Sequence, residues 1–216
     1  MFKKMFYLAL VLLINLGFLL PAYEGHTQGT ISLPKTGQNQ CYNSSGTEIP
    51  CAGTGQDGEI KGGVEWPKPR FTLSGDCLND NLTGLMWAKN ANLPNSSKTW
   101  QEALDYVASI NSGPGLCGYK DWRLPNVNEL VSLINFGEAG NKSIWLSKQG
   151  FINVQGSDRH SGSGFSNYWS STTMGDYMAV PAVPADHAWT VGMRHGGVRH
   201  YRKSSLSFVW PVRSGK

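Results

Sequence analysis

Residues 117–130, CGYKDWRLPNVNEL, decide the fold. Pro125 has no backbone N–H to donate, and it pushes Leu124 into an extended conformation, so DWRLP reads as a strand or strand exit. Asn126 stands where a helix N-cap belongs, and Glu129 follows at capping-box spacing. A cysteine, an extended Trp-Arg segment and a capped helix are thus joined in one corner. The corner is architecture and carries no chemistry by itself.

Upstream, Thr99 and Glu102 repeat the capping box, and Trp100, Ala103, Leu104, Val107 and Ile110 recur on one face at helical spacing. RFTLSGDCLNDNLTGLMWA, residues 70–88, reads as two short strands around a turn, with Phe71, Leu73, Leu85 and Trp87 as inward candidates. Downstream, a second helix is expected over Val127–Asn135, with Val127, Leu130, Leu133 and Ile134 inward. A Trp-bearing turn (KSIWLSKQGF) and a polar glycine-serine loop at 155–167 come next. Then three strand-like segments appear, NYWSSTT, HAWTVGM and FVWPVR, with a Pro-Ala loop between the first two and a hairpin turn at Gly196-Gly197 between the last two.

The first residues read as an export signal. Lys3 and Lys4 form a basic start, and Met5–Leu20 is an apolar-to-neutral run that ends at Pro21. That suits a secretory segment better than a spanning helix of about 20 apolar residues. Ala22 is the best cleavage candidate, retention as an uncleaved anchor is the alternative, and the absence of a following cysteine argues against lipoprotein processing. The expected organisation is a signal peptide at 1–22, an irregular Gly/Pro-rich arm at 23–69 and one domain at 70–216. LPKTG at 33–37 matches a cell-wall sorting signal in letters only.

Removing Lys3 and Lys4 takes the formal charge from +4 to 4 − 2 = +2. That is too little for nucleic-acid binding to be expected from net charge. Four cysteines in an exported chain read as two disulfides. Three pairings exist, and Cys41–Cys51 with Cys77–Cys117 is preferred. The first closes a loop, CYNSSGTEIPC, whose Asn, Ser, Gly and Pro residues reverse the chain. The second ties the segment before the first strand to the corner. Zinc is the alternative, but no CxxC pair exists and export disfavours it, so no metal is expected.

All eight tryptophans lie from Trp66 onward, at 66, 87, 100, 122, 145, 169, 189 and 210. Their flanks do not repeat, which favours one Trp per structural element over a repeat architecture. Each buries on the order of 150–250 Å², so core packing is the preferred role over sugar stacking.

The segments GTGQDGEIKGGVEWPKPRF, DNLTGLMW, TWQEALDYVASIN, LCGYKDWRLPNVNELVSLIN, YWSSTT, AWTV and VWPVR, in that order, resemble the bacterial family named after the C-terminal domain of the Legionella collagen-like adhesin. The resemblance covers nearly everything after residue 35. More remotely, the order helix, DWRLP, helix and paired Trp strands is similar to the C-type-lectin-like fold, also used by formylglycine-generating enzymes. The resemblance implies an α+β domain with two helices packed on a twisted, mainly antiparallel sheet, stabilised by disulfides. It also implies an adhesin that binds sulfated glycosaminoglycans and self-associates as a trimer. The namesake's collagen-like stalk has no counterpart here.

Chemistry is sparse. LPNVNE offers Pro125, Asn126 and Glu129 to a calcium-dependent sugar site, but a helix cap explains them better. Asp57 and Glu59 in GTGQDGE read as a solvated turn before a calcium loop. No cysteine follows Cys117, which excludes formylglycine-type redox chemistry. Ser170, Asp186 and His187 lack a nucleophile-elbow context, so no enzyme and no cofactor are expected.

What remains is charge placement. From His187 to Lys216 there are six Lys or Arg and no Asp or Glu. Arg194, Arg199, Arg202 and Lys203 cluster around the hairpin turn, interleaved with His195, His200 and Tyr201. Arginine offers a planar fork for sulfate, phosphate or carboxylate. A solvated edge kept soluble by its charges is the competing reading. The expected function is an exported, non-enzymatic module that recognises an anionic or sulfated glycan through Arg194, Arg199, Arg202 and Lys203, with Tyr201 stacking alongside. Homo-oligomerisation is compatible with it, and no stable membrane span once the signal is removed. The expected location is the periplasm, the outer-membrane surface or the medium. The alternative is a structural or protein-interaction module of the cell envelope without glycan binding.

Overall fold

The corner at 121–130 is built as its sequence requires. In the computed structural model, which describes residues 33–156, 166–175 and 186–215, Trp122 and Leu124 are 2% exposed while Asp121 and Arg123 face outward, the alternation of extended chain. Asn126 is extended (φ −74°, ψ 169°). Its side chain accepts the Glu129 N–H at 2.9 Å, while Glu129 accepts the Asn126 N–H at 2.8 Å. The expected signal peptide at 1–22 lies outside the described residues, as do most of the glycine-serine loop and the Pro-Ala loop.

Around this corner the described residues form an α+β fold with antiparallel sheets. In chain order the elements are β1 (Cys41–Tyr42), β2 (Glu48–Ile49), α1 (Asp57–Ile60), β3 (Phe71–Ser74), β4 (Cys77–Asp80), β5 (Leu85–Ala88), α2 (Trp100–Ser112), α3 (Val127–Ser132), α4 (Lys142–Lys148), β6 (Asn167–Thr173), β7 (His187–Gly192), β8 (Val198–Arg202) and β9 (Val212–Ser214). Three sheets result, ordered β1-β2, β3-β4-β5-β9 and β6-β7-β8. The expectation of two helices on one sheet is corrected accordingly: the described residues hold four helices and three small sheets. None of these helices is long and apolar enough to cross a membrane.

Local chemistry explains the differences. RFTLSGDCLNDNLTGLMWA makes three strands, because Gly75 (φ 61°) and Gly84 (φ 71°) each allow a reversal. At the second reversal Asp80 accepts the Leu82 N–H at 3.0 Å and the Thr83 hydroxyl at 2.9 Å, which fixes the DNLTG turn. Leu73, expected inward, is 60% exposed on β3, the edge strand of its sheet, on which Phe71 is the buried residue. KSIWLSK is helix α4, capped by Asn141, whose side chain accepts the Ser143 N–H at 3.0 Å. The return strand of the Gly196-Gly197 hairpin is β8, and FVWPVR passes instead to the other sheet as β9.

Both expected disulfides are present, Cys41–Cys51 and Cys77–Cys117, with Cα atoms 5.1 and 6.3 Å apart. The core is aromatic. Trp210 contacts Phe151, Tyr168 and Trp87 at ring-centroid distances of 5.0, 5.2 and 5.6 Å, and donates its indole N–H to the Ala88 carbonyl at 2.8 Å. Trp100, Trp122 and Trp169 likewise donate to backbone carbonyls of Ser170, Leu116 and Lys98. Trp100, Trp169 and Trp210 thereby both bury apolar surface and cross-link elements distant in sequence, while the Trp122 bond is local. Burial pushes the Tyr168 phenol well above its ordinary range, against a hydrogen bond from the Gln155 N–H at 2.7 Å.

Candidate ligand-binding hairpin

The β7–β8 hairpin carries the residues singled out by charge. Its turn is anchored: the Gly192 N–H donates to the Gly197 carbonyl at 3.0 Å, and the Arg194 carbonyl accepts the Lys142 N–H at 3.0 Å. Gly196 (φ 76°) lies against the exit of α3, where a Cβ would meet Ile134 at 2.8 Å and Phe136 at 3.2 Å. Only glycine satisfies both the dihedral and the space.

Pairing register then distributes the side chains. Arg199 lies opposite Thr190, and Tyr201 opposite Ala188; Thr190 and Ala188 are fully buried, and Tyr201 is half-buried against the core. Arg202 lies opposite His187, and His200 opposite Trp189, so these four share the other face. Arg194 sits in the turn, its Nε donating to His195 Nε2 at 3.1 Å. Lys203 follows the strand end, its Nζ 4.5 Å from the centroid of Trp100. The structure therefore places the five residues on one hairpin but divides them: Arg199 and Tyr201 on one face, Arg202 on the other, Arg194 at the tip and Lys203 at the base. Arg213, also counted in the basic run, is buried and paired to Asp121 through Nε at 2.6 Å and Nη2 at 3.1 Å.

Sequence reasoning missed the face that carries Arg202. His200 makes an edge contact with Trp189 at 5.6 Å and with His187 at 5.3 Å, and His187 Nδ1 lies 2.7 Å from Asp186 Oδ1. The signal was present as HxW before the Gly-Gly turn and HxR after it, two alternating triplets that pair once the turn is fixed.

The other candidates are engaged elsewhere. Ser170 is fully buried and donates its hydroxyl to the Trp189 carbonyl at 2.6 Å. Glu59 accepts the Gly53 and Gly55 N–H groups at 2.6 and 2.7 Å, and these hold its carboxyl below the usual range. Asp57 accepts the Thr36 hydroxyl. Among the described residues no group of three His, Cys, Asp or Glu is placed to hold a metal ion.

No match is found among curated proteins. Residues 76–213 match the Lcl C-terminal domain family, well over half of the sequence, and the chain belongs to that family.

Proposed function

We propose that this chain is an exported binding module that recognises an anionic or sulfated glycan at the bacterial surface, in the manner of an adhesin. The observation that carries the reading is the position of β8. Among the described residues it is the edge of its sheet, its residues Arg199, His200 and Arg202 are exposed, and no Asp or Glu occurs in the sequence from His187 onward. An extended polyanion laid along an edge meets side chains from both faces of the strand, so the division of Arg199 from Arg202 is compatible with one polymer. Trp189 and Tyr201 give apolar surface on either side. Membership of the Lcl C-terminal domain family supports a surface role, and two disulfides suit an oxidising compartment. The succession of α2, the DWRLP corner, α3 and the Trp strands supports a lectin-like ancestry.

Heparin-affinity chromatography of the mature protein tests this. Retention should fall steeply with salt, and Arg194→Glu, Arg199→Glu, Arg202→Glu and Lys203→Glu together should abolish it while circular dichroism stays unchanged. Elution of the folded quadruple variant at the parent's salt concentration overturns the proposal. A stoichiometric protein partner without glycan retention would favour a structural envelope module instead.

A further inference from the structure

A second candidate site lies where the arm meets the domain, beside the 134–136 segment on which the hairpin turn packs. A cavity of about 540 Å³ opens between residues 35–39 and 57–70 on one side and Asn135, Trp145 and Gln149 on the other. That volume is in the range of small-ligand pockets, about 300–1,000 Å³.

The cavity is preformed. The Thr36 carbonyl accepts the Phe136 N–H at 2.9 Å, and Trp66 donates its indole N–H to the Lys35 carbonyl at 2.8 Å. Arm and domain touch backbone to backbone: a Cβ on Gly137 would lie 1.8 Å from the Gly37 carbonyl oxygen, and one on Gly37 would lie 2.2 Å from Asn135 Oδ1.

Its walls have a definite chemistry. Trp66 and Trp145, both half-buried, form an aromatic corner with centroids 5.5 Å apart and planes inclined at 48°. Arg70, 4% exposed, lies with its guanidinium carbon 4.3 Å from the Trp66 centroid. Asp80 and the Ser132 carbonyl take its Nε and Nη2, and its buried Nη1 has no hydrogen-bond partner among the described residues. Four cations line the cavity, Lys35, Lys61, Lys68 and Arg70, against two carboxylates, Asp57 and Glu65. Glu65 is bound to Lys35, and Lys35, with weaker contributions from Lys68 and Lys61, holds its carboxyl below the usual range. With Arg70 paired to Asp80 and Lys35 to Glu65, Lys61 and Lys68 remain against Asp57, and the cavity keeps an excess of one positive charge.

The geometry points to a binding site for a short acidic saccharide, one pyranose unit bearing a carboxylate or a sulfate. The apolar face of the sugar packs on the Trp66–Trp145 corner, its anion sits by Lys61 and Lys68, and Asn135 and Gln149 face its hydroxyls. None of Arg194, Arg199, Arg202 and Lys203 lines this site. The arm supplies most of it, and of the matched family segment only Asn135, Trp145 and Gln149 take part.

The test is titration of the full mature chain with methyl β-glucuronide, glucose 6-sulfate and methyl β-glucoside, followed by tryptophan fluorescence and saturation-transfer NMR. At least one anionic sugar should bind about five- to tenfold tighter than the neutral glucoside, the range expected of two exposed charge contacts. The stronger of the two identifies the anion. Lys61→Glu with Lys68→Glu, both at the surface, should erase that preference, and Trp66→Ala should weaken all three sugars. The quadruple hairpin variant should bind these small probes as the parent does, which separates failure of this site from failure of the hairpin. Equal binding of charged and neutral sugars, no binding of any, or loss of binding in the hairpin variant alone overturns the inference.

Discussion

Glu129 grips Arg123 with both carboxylate oxygens, at 2.6 and 2.7 Å, while the same carboxylate accepts the N-cap N–H of Asn126. One side chain thereby fixes both the strand exit and the helix start of the DWRLPNVNE corner, and the corner is pinned to β9 because Arg123 and Val212 exchange backbone hydrogen bonds at 2.9 and 3.0 Å. Bidentate Arg–carboxylate pairs add directional specificity to charge.

Glu129→Ala should therefore cost more than Arg123→Ala. The first removes a capping-box partner as well as the ion pair, worth about 1–3 kcal/mol together. The second removes an exposed guanidinium, worth about 1 kcal/mol or less. Urea denaturation of both variants checks the order; equal costs would show that the cap contributes nothing.

Acid should erase the same contribution. Burial raises the Glu129 carboxyl pKa, but the hydrogen bonds from Arg123 and Asn126 and the charge of Arg123 outweigh it, and the net displacement is downward. Glu102 is lowered by the Thr99 backbone and hydroxyl, and Asp121 by Arg213. A folded-state value below the unfolded one stabilises the fold above the unfolded pKa, about 4 for carboxylates, and that stability is lost as pH falls through the folded value. The stability gap between the parent and Glu129→Gln should be full at pH 7 and close progressively below about pH 4. A gap that widens on acidification would contradict the assignment.

The two disulfides should not be equivalent. Cys77–Cys117 spans a sequence separation of 40 and ties β4 to the corner, whereas Cys41–Cys51 spans 10 within the arm. Loop-closure entropy assigns them about 4 and about 3 kcal/mol. Cys77→Ser with Cys117→Ser should lower the main urea transition, while Cys41→Ser with Cys51→Ser should leave it in place and expose the arm to protease. The reverse pattern would mean that the arm, not the corner, governs core stability.

Asp80→Ala should be among the most damaging single substitutions. Its carboxylate is fully buried against Arg70, itself buried, and also holds the DNLTG turn. A buried cation left without its partner costs about 3–5 kcal/mol. Adding Arg70→Met to Asp80→Ala should restore part of the loss in thermal denaturation, since the stranded charge disappears. If the double variant is less stable than the single one, the cation–π stack of Arg70 on Trp66 outweighs its desolvation.

The corner, both caps and both cysteine pairings were legible because each depends on residues near in sequence or on a small number of pairings. Helix α4 was not, because its apolar face is a single turn around Leu146 and gives no periodicity to read. The third strand in 70–88 was missed because Asp80 builds its turn through side-chain hydrogen bonds that a propensity reading does not see. Leu73 failed because alternation tells which residues share a face, not whether anything covers it.

Local chemistry alone thus determined the capped corner, the disulfides and the basic character of the last hairpin, since capping, turn formation and charge are properties of short segments, while the α+β class was implied by the ordered motifs of the family resemblance. Tertiary structure decided which face each arginine takes, that Arg213 is buried against Asp121, and that the arm closes over Trp145 to make a cavity. Those outcomes depend on strand register and on backbone contacts such as Gly37 against Gly137, between residues a hundred positions apart, and no local pattern encodes them.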